Sequence, residues 1–198
     1  MGGRGTWELA QEHPELFAAI VPICGRANTS DAWKLRHMSV WCFHGEKDDV
    51  VPISTSRNMV RALENLNARV KFTAYPEVYH NSWVKAYNDS ELYEWLLAQK
   101  KFRYKAIQVD QTILKGYMGK YHYKMQGDEG VFEVLMENNQ LIIDLRSRKT
   151  PLIPYEKNKF FIQESQPVEF QFLQNEQGDV DRIMLYTNEI NTFEKLKE

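Results

Sequence analysis

The sequence has little of what marks several specialised classes of protein. Its 198 residues include only two cysteines, and its net charge is -2. Two cysteines exclude a disulfide-rich scaffold. A charge so close to zero gives no reason to expect nucleic acid or an anionic membrane as a partner. No apolar run approaches the roughly 20 residues that span a bilayer, so no membrane span is expected.

The two cysteines, Cys24 and Cys42, lie in apolar runs that resemble strands. We expect two buried free thiols, although a disulfide stays open because neighbouring strands would bring the two sulfur atoms close. Neither cysteine stands beside a turn that contains a histidine, so neither is expected to act as a nucleophile. No Cys/His spacing indicates a zinc site, and no metal or cofactor is expected.

The character of the sequence changes near residues 100–104. All five tryptophans precede residue 100, and short apolar–polar alternations follow that point. We therefore predict two domains, residues 1–103 and residues 104–198, without a flexible Gly/Ser linker between them.

The first domain alternates helix and strand signals. In one predicted helix, Met59, Leu63 and Leu66 recur at i, i+4 and i+7, which is the spacing of one helical face. The predicted strands are residues 17–24, 38–43 and 69–75, and the predicted helices are residues 3–13, 31–35, 54–66 and 90–100. This alternation predicts an α/β domain with a parallel sheet and helical crossovers.

The second domain carries almost only strand signals. Seven strands are predicted, at residues 117–125, 131–137, 140–146, 150–155, 159–163, 168–174 and 180–186. Turn-forming residues at 127–130, 137–139 and 176–179 predict hairpins. Short strands at near-regular spacing predict a small antiparallel β-barrel or sandwich.

Two stretches of the first domain carry the chemistry. The apolar strand that ends at Phe43 is followed by an acidic turn with Asp48, and the strand that ends near Tyr75 is followed by a loop with His80. Catalytic groups of an open α/β sheet lie at the carboxyl ends of its strands. An acid and then a histidine is the second half of a Ser…Asp…His triad in α/β-hydrolase order. We therefore expect Asp48 to hold the ring of His80 and His80 to act as general base. His44, at the strand end, is expected to support the Asp48 loop.

The stretches H-G-E-K-D-D-V-V-P (44–52) and Y-P-E-V-Y-H-N-S-W (75–83) resemble the acid and histidine loops of α/β-hydrolases. They are most similar to those of dienelactone-hydrolase-like, prolyl-oligopeptidase-like and feruloyl-esterase-like enzymes. The resemblance implies that the catalytic acid is Asp48 rather than Asp49, and that the catalytic histidine is His80. Tyr79 stands where the family usually has glycine.

The first residues, M-G-G-R-G-T-W, resemble the end of the nucleophile elbow G-x-S-M-G-G-x-G-T-W. The resemblance places the nucleophilic serine immediately before Met1, and it makes the backbone position of Met1 a donor of the oxyanion hole. No other serine lies in a G-x-S-x-G context. We therefore expect the chain to be the C-terminal portion of a hydrolase, without turnover of its own.

From Leu114 onward, a G-x-Y start and short strands resemble a small lipocalin-like β-domain that is appended to β-lactamase-like proteins and esterases. Its aromatic residues are expected to form a core rather than a ligand platform; they are Tyr117, Tyr121, Phe132, Phe160, Phe170 and Phe172.

The sequence thus predicts part of a serine hydrolase that acts on carboxylic esters, with a small-molecule ester or peptide as substrate. A prolyl-oligopeptidase-like peptidase and a non-catalytic interaction protein stay open as alternatives. We also expect self-association through the sheet edge formed by residues 17–24. By analogy with two-domain hydrolases, the parent protein is expected to be exported.

Overall fold

The computed structural model describes residues 1–125, 127–145, 148–163, 168–187 and 190–197. The chain divides into two compact units, Met1–Arg103 and Tyr104–Glu198. Within the described residues no helix is both long enough and apolar enough to cross a membrane.

The first unit is an α/β unit around a three-stranded parallel sheet in the order β1-β2-β3. Its strands are β1 (Ala19–Ile20), β2 (Ser39–Gly45) and β3 (Val70–Tyr75). Its α-helices are α1 (Gly2–Glu12), α2 (Ser54–Asn65), α3 (Trp83–Tyr87) and α4 (Ser90–Ala98), with 3₁₀ helices at Pro14–Leu16 and Thr29–Leu35.

Strand β2 is buried throughout, with helices on both of its faces. Val40 and Cys42 pack in the cluster that contains Trp7 of α1 and Met59 of α2. Trp41 and Phe43 point to the other face, which Leu92 of α4 covers. Side chains of a strand alternate between faces, so a strand buried on both sides reads as a continuous apolar run.

Strand β1 is shorter than predicted. Only Ala19–Ile20 form a strand, and the chain rejoins β2 through a single bridge between Ile23 and Phe43. Pro22 has no N–H to donate, so a regular ladder cannot run through it.

The second unit is a nine-stranded antiparallel sheet that is nearly closed into a barrel, in the order β7-β6-β5-β4-β12-β11-β10-β9-β8. Helix α5 (Gln111–Tyr117) precedes it. The strands are β4 (Gly119–Met125), β5 (Asp128–Glu137), β6 (Gln140–Asp144), β7 (Lys149–Pro151), β8 (Ile153–Glu156), β9 (Lys159–Ile162), β10 (Val168–Gln174), β11 (Val180–Tyr186) and β12 (Ile190–Lys195). The two edge strands, β7 and β8, are consecutive in the chain and separated by Leu152 alone.

Several predictions for this unit need correction. The predicted strand 150–155 is two strands, since buried Leu152 turns the chain between them. The predicted turn at 127–130 is wrong for its last three residues, which already belong to β5. Helix α5 and strand β12 were not predicted. Arg146, the predicted end of one strand, lies outside the described residues. All six aromatic residues predicted for the core are buried there.

Candidate active site

The acid and histidine loops leave the ends of two neighbouring parallel strands. The register of β2 and β3 runs from Val40 opposite Val70 to Gly45 opposite Tyr75, so the two strands end level with each other. The acid turn and the histidine loop therefore begin at the same edge of the sheet, which is where α/β sheets present their sites.

Close packing at Gly45 sets the distance between the two loops. The N–H groups of Glu46 and Lys47 donate to the carbonyl oxygens of Tyr75 and Val78, at 2.9 Å and 3.0 Å. A Cβ at Gly45 would overlap the backbone carbonyls of Val78 and Tyr79. Only a glycine permits this approach, which brings the chain before His80 against the turn that carries Asp48.

Asp48 and His80 form a hydrogen-bonded pair. His80 Nδ1 lies 2.9 Å from Asp48 Oδ2 and 3.1 Å from Oδ1. The Asp48 side chain is fully buried, whereas 27% of the His80 side chain is exposed. Because part of the His80 side chain is exposed, its ring is accessible to a ligand. The hydrogen bond to Asp48 fixes the orientation of the ring.

Backbone donors hold the carboxylate of Asp48 in place. Its Oδ1 accepts from the N–H groups of Val50 at 3.0 Å and Val51 at 2.8 Å. Burial by itself raises the pKa of this carboxyl, but the hydrogen bonds from Val51, His80 and Val50 outweigh it, so the pKa is lowered. Asp48 is therefore an anion at neutral pH, and it accepts a hydrogen bond from the Nδ1–H group of His80.

His44 supports the acid turn from below, as predicted. Its buried ring contacts the Ser56 hydroxyl through Nδ1 at 2.7 Å and the Val51 carbonyl through Nε2 at 2.9 Å. The same Nε2 lies 3.1 Å from Asp48 Oδ2. Because this network buries the ring of His44, His44 is not exposed at the open side of the site.

Tyr79 leaves the geometry of the histidine loop intact. Its backbone φ is not positive, so glycine is not required at this position. Its side chain points to solvent, and the ring of Trp83 packs edge-on against His80 at 5.6 Å between centroids.

The open side of His80 faces a cavity of about 270 Å³. Met1, Cys24, Trp83 and Tyr87 also line it. The first turn of α1 reaches this position because Gly3 and Gly25 pack backbone against backbone, where a Cβ on either would overlap the other segment. Met1, predicted near the reacting atoms, thus lines the same cavity as His80.

Cys24 is the residue that the sequence analysis missed. Both cysteines are buried free thiols, as expected. Although Cys24 does not stand beside a histidine-containing turn in the sequence, its sulfur lies within 4.8 Å of ligand atoms of Asp48 and His80. Separations of 24 and 56 residues along the chain hide this contact, since Cys24 reaches the site through the isolated bridge between Ile23 and Phe43.

Comparison with known proteins identifies a family for the first unit. Residues 1–103 match the model of the dienelactone hydrolase family. No curated protein matches the chain. A thermostable esterase of known structure is 39% identical over 50% of this chain and 28% of its own, with a TM-score of 0.48. A protein of Klebsiella pneumoniae subsp. pneumoniae MGH 78578, named as a dienelactone hydrolase, is 27% identical over 49% of this chain and 47% of its own, with a TM-score of 0.37.

The chain therefore spans less than half the length of both solved structures. The family match covers more than half of the chain and includes both loops of the candidate site. By this match, the chain belongs to the dienelactone hydrolase family.

Proposed function

We propose that residues 1–103 supply the acid and the general base of a Ser-Asp-His hydrolase that acts on carboxylic esters. The observation that carries the proposal is the 2.9 Å contact between Asp48 Oδ2 and His80 Nδ1 at the level ends of two parallel strands. An acid that holds a histidine in this way is the arrangement that acyl transfer requires.

In this proposal the two residues divide the work. Asp48 accepts a hydrogen bond from the Nδ1–H group of His80, which leaves the Nε2 lone pair free to take a proton from a serine hydroxyl. The serine oxygen attacks the ester carbonyl, and His80 returns the proton to the departing alcohol. A water molecule then releases the acyl group by the same steps in reverse order. The lowered pKa of Asp48 supports its part, because an anion stabilises the imidazolium that forms.

We place the nucleophilic serine immediately before the position of Met1 in the parent protein, as in the family's elbow. The backbone N–H at Met1 would then donate to the oxyanion. Two features support this placement: Met1 lines the cavity that His80 faces, and it precedes helix α1, whose amino end favours negative charge.

The test compares the 198-residue chain with the parent protein on p-nitrophenyl esters. We expect no turnover from the chain alone and hydrolysis by the parent, with labelling of its elbow serine by a fluorophosphonate. His80→Ala should lower kcat of the parent by about six orders of magnitude. His122→Ala, at a half-buried histidine of the second unit, is the matched control and should leave kcat unchanged.

Two results would overturn the proposal. One is robust hydrolysis by the 198-residue chain that His80→Ala abolishes, since another nucleophile would then be at work. The other is full activity of the parent without His80. A parent that cleaves a proline p-nitroanilide faster than the esters would instead favour the peptidase alternative.

A further inference from the structure

Cys24, Asp48 and His80 bring together three donors that zinc prefers. The sulfur, a carboxylate oxygen and a ring nitrogen all lie within 4.8 Å of one another. Ligand atoms around a tetrahedral Zn²⁺ are about 3.6 Å apart, given bonds of about 2.3 Å to sulfur and about 2.1 Å to nitrogen or oxygen. Small side-chain movements therefore suffice to bring all three donors to bonding distance.

Asp48 and His80 follow the carboxyl ends of β2 and β3, and Cys24 follows the bridge between Ile23 and Phe43. Asp48 is held by the N–H groups of Val50 and Val51, and buried His44 contacts its second oxygen. Outer contacts of this kind orient metal ligands and keep their geometry fixed.

The backbone of Cys24 adopts a conformation that is rare for a residue with a side chain. Its φ is +43°, in the left-handed region, and its N–H donates to the Phe43 carbonyl at 2.9 Å. Strained backbone of this kind clusters at functional sites, where surrounding structure enforces it. Here it directs the thiol toward Asp48 and His80.

Ser82 provides an independent observation at the same place. Its side chain is fully buried, and its hydroxyl has no nitrogen or oxygen partner among the described residues. The hydroxyl instead contacts the Cys24 sulfur, which is a weak acceptor. A buried hydroxyl without a stronger partner needs an explanation, and a water molecule on a bound ion would supply one.

We propose that Cys24, Asp48 and His80 bind one Zn²⁺ ion, with the fourth position open to water from the adjoining cavity. The ion replaces the hydrogen bond between Asp48 and His80, and the Nδ1 proton of His80 and the thiol proton of Cys24 are released to solvent. A bound ion would occupy His80 and Asp48, so it would reversibly inhibit the proposed hydrolase. This inhibitory part rests on the proposed function, whereas binding of the ion does not.

Cobalt serves as the probe, because Co²⁺ reports sulfur ligation by its absorption. The untagged, metal-free 198-residue chain is titrated with Co²⁺ under reducing conditions. We expect a 1:1 complex with a thiolate-to-cobalt band in the near ultraviolet and tetrahedral bands in the visible, all of which Zn²⁺ displaces. Cys24→Ser should abolish the thiolate band, and His80→Ala should weaken binding at least tenfold.

The matched controls are Cys42→Ser, which removes the other buried thiol, and Asp49→Asn, which removes the neighbouring exposed acid. Both should retain the thiolate band, and circular dichroism verifies the fold of every variant. If Cys24→Ser does not fold, the Co²⁺ affinity of His80→Ala alone decides whether the proposal stands. Absence of a thiolate band, or an identical complex in Cys24→Ser or His80→Ala, overturns the proposal. Because the assay needs no turnover, the site stands or falls separately from the hydrolase activity.

Discussion

Gly45 is the residue that sets how closely the two loops of the site approach. A methyl group at Gly45 would overlap the carbonyls of Val78 and Tyr79, so the chain that leads to His80 must move. We expect Gly45→Ala to lower the free energy of unfolding by about 1–3 kcal/mol, the usual effect of overpacking.

Urea unfolding of the 198-residue chain measures this effect. Gly5→Ala is the matched control, because it lies in α1 with open space around it. That change should stabilise the chain by about 0.5–1 kcal/mol, since alanine is the better helix former. Equal and small effects of both changes would mean that the loops have room to separate.

Tyr155 is part of a buried polar cluster in the second unit. Its hydroxyl donates to Glu169 Oε2 at 2.7 Å, and Tyr104 donates to the other oxygen of that buried carboxyl. We expect Tyr155→Phe to cost about 1–3 kcal/mol of unfolding free energy, because one oxygen of Glu169 loses a donor. Tyr93→Phe, at an exposed tyrosine whose hydroxyl donates to the Tyr87 carbonyl, is the comparison and should cost less than about 0.5 kcal/mol.

At the scale of elements, the hairpin between β5 and β6 turns through Asn138 and Asn139. Both have positive φ, at 50° and 65°, as a type I′ turn requires. Asn-Gly is the preferred pair of residues in a type I′ turn. We therefore expect Asn139→Gly to raise the free energy of unfolding by about 0.5 kcal/mol. Asn139→Ala should lower it by about 1 kcal/mol. A stabilising alanine in thermal melts would contradict the turn assignment.

The β-barrel-like unit should lose stability in alkali. Burial raises the pKa of Tyr117, Tyr121 and Tyr155, and the Glu169 carboxylate raises that of Tyr155 further. A raised pKa means that the folded state keeps the proton longer than the unfolded state. The stabilisation is complete below the unfolded tyrosine pKa of about 10 and is lost as pH rises above it.

Absorbance at 295 nm, followed with circular dichroism, measures this loss. We expect part of the rise in absorbance at 295 nm, which reports tyrosinate, to occur only at the pH where the native circular dichroism spectrum is lost. Tyr155→Phe should reduce that fraction. If all ten tyrosines ionise in one reversible step with the native spectrum intact, the burial argument is wrong.

Elements buried on both faces were predictable from the sequence, and half-exposed ones were not. Strand β2 reads as an unbroken apolar run because both faces are covered. Strand β12 buries only Phe193 among its six residues, so its sequence pattern hardly indicates a strand.

The Asp48–His80 pair was predictable because its two residues follow the ends of consecutive strands. Cys24 was not, because it reaches them through a bridge beyond the end of β1 rather than through a regular strand.

At the scale of the whole molecule, each unit has its own apolar core. The core of the second unit draws only on residues 109–193, and its sheet is nearly closed. We expect residues 104–198 alone to be monomeric and to melt cooperatively.

In the first unit, β1 pairs on one side only among the described residues. We therefore expect residues 1–103 alone to self-associate or to bind a hydrophobic dye.

Analytical ultracentrifugation and thermal melts of the two separate chains test this expectation. A monomeric chain of residues 1–103 with a sharp transition would exclude self-association through the sheet edge. An unfolded chain of residues 104–198 would show that the second unit needs the first.

The central claim is that Asp48 orients His80 for proton transfer, and adjacent Asp49 offers a matched comparison. Asp49 is exposed, whereas the Asp48 side chain is fully buried against His80. The decisive measurement is kcat/KM of the parent protein on a p-nitrophenyl ester after each residue is changed to asparagine. Asp48→Asn should lower kcat/KM by about 10⁴-fold, because asparagine favours the wrong tautomer of the histidine. Asp49→Asn should change it by less than about threefold. Equal effects of the two changes, or full activity of Asp48→Asn, would contradict the account.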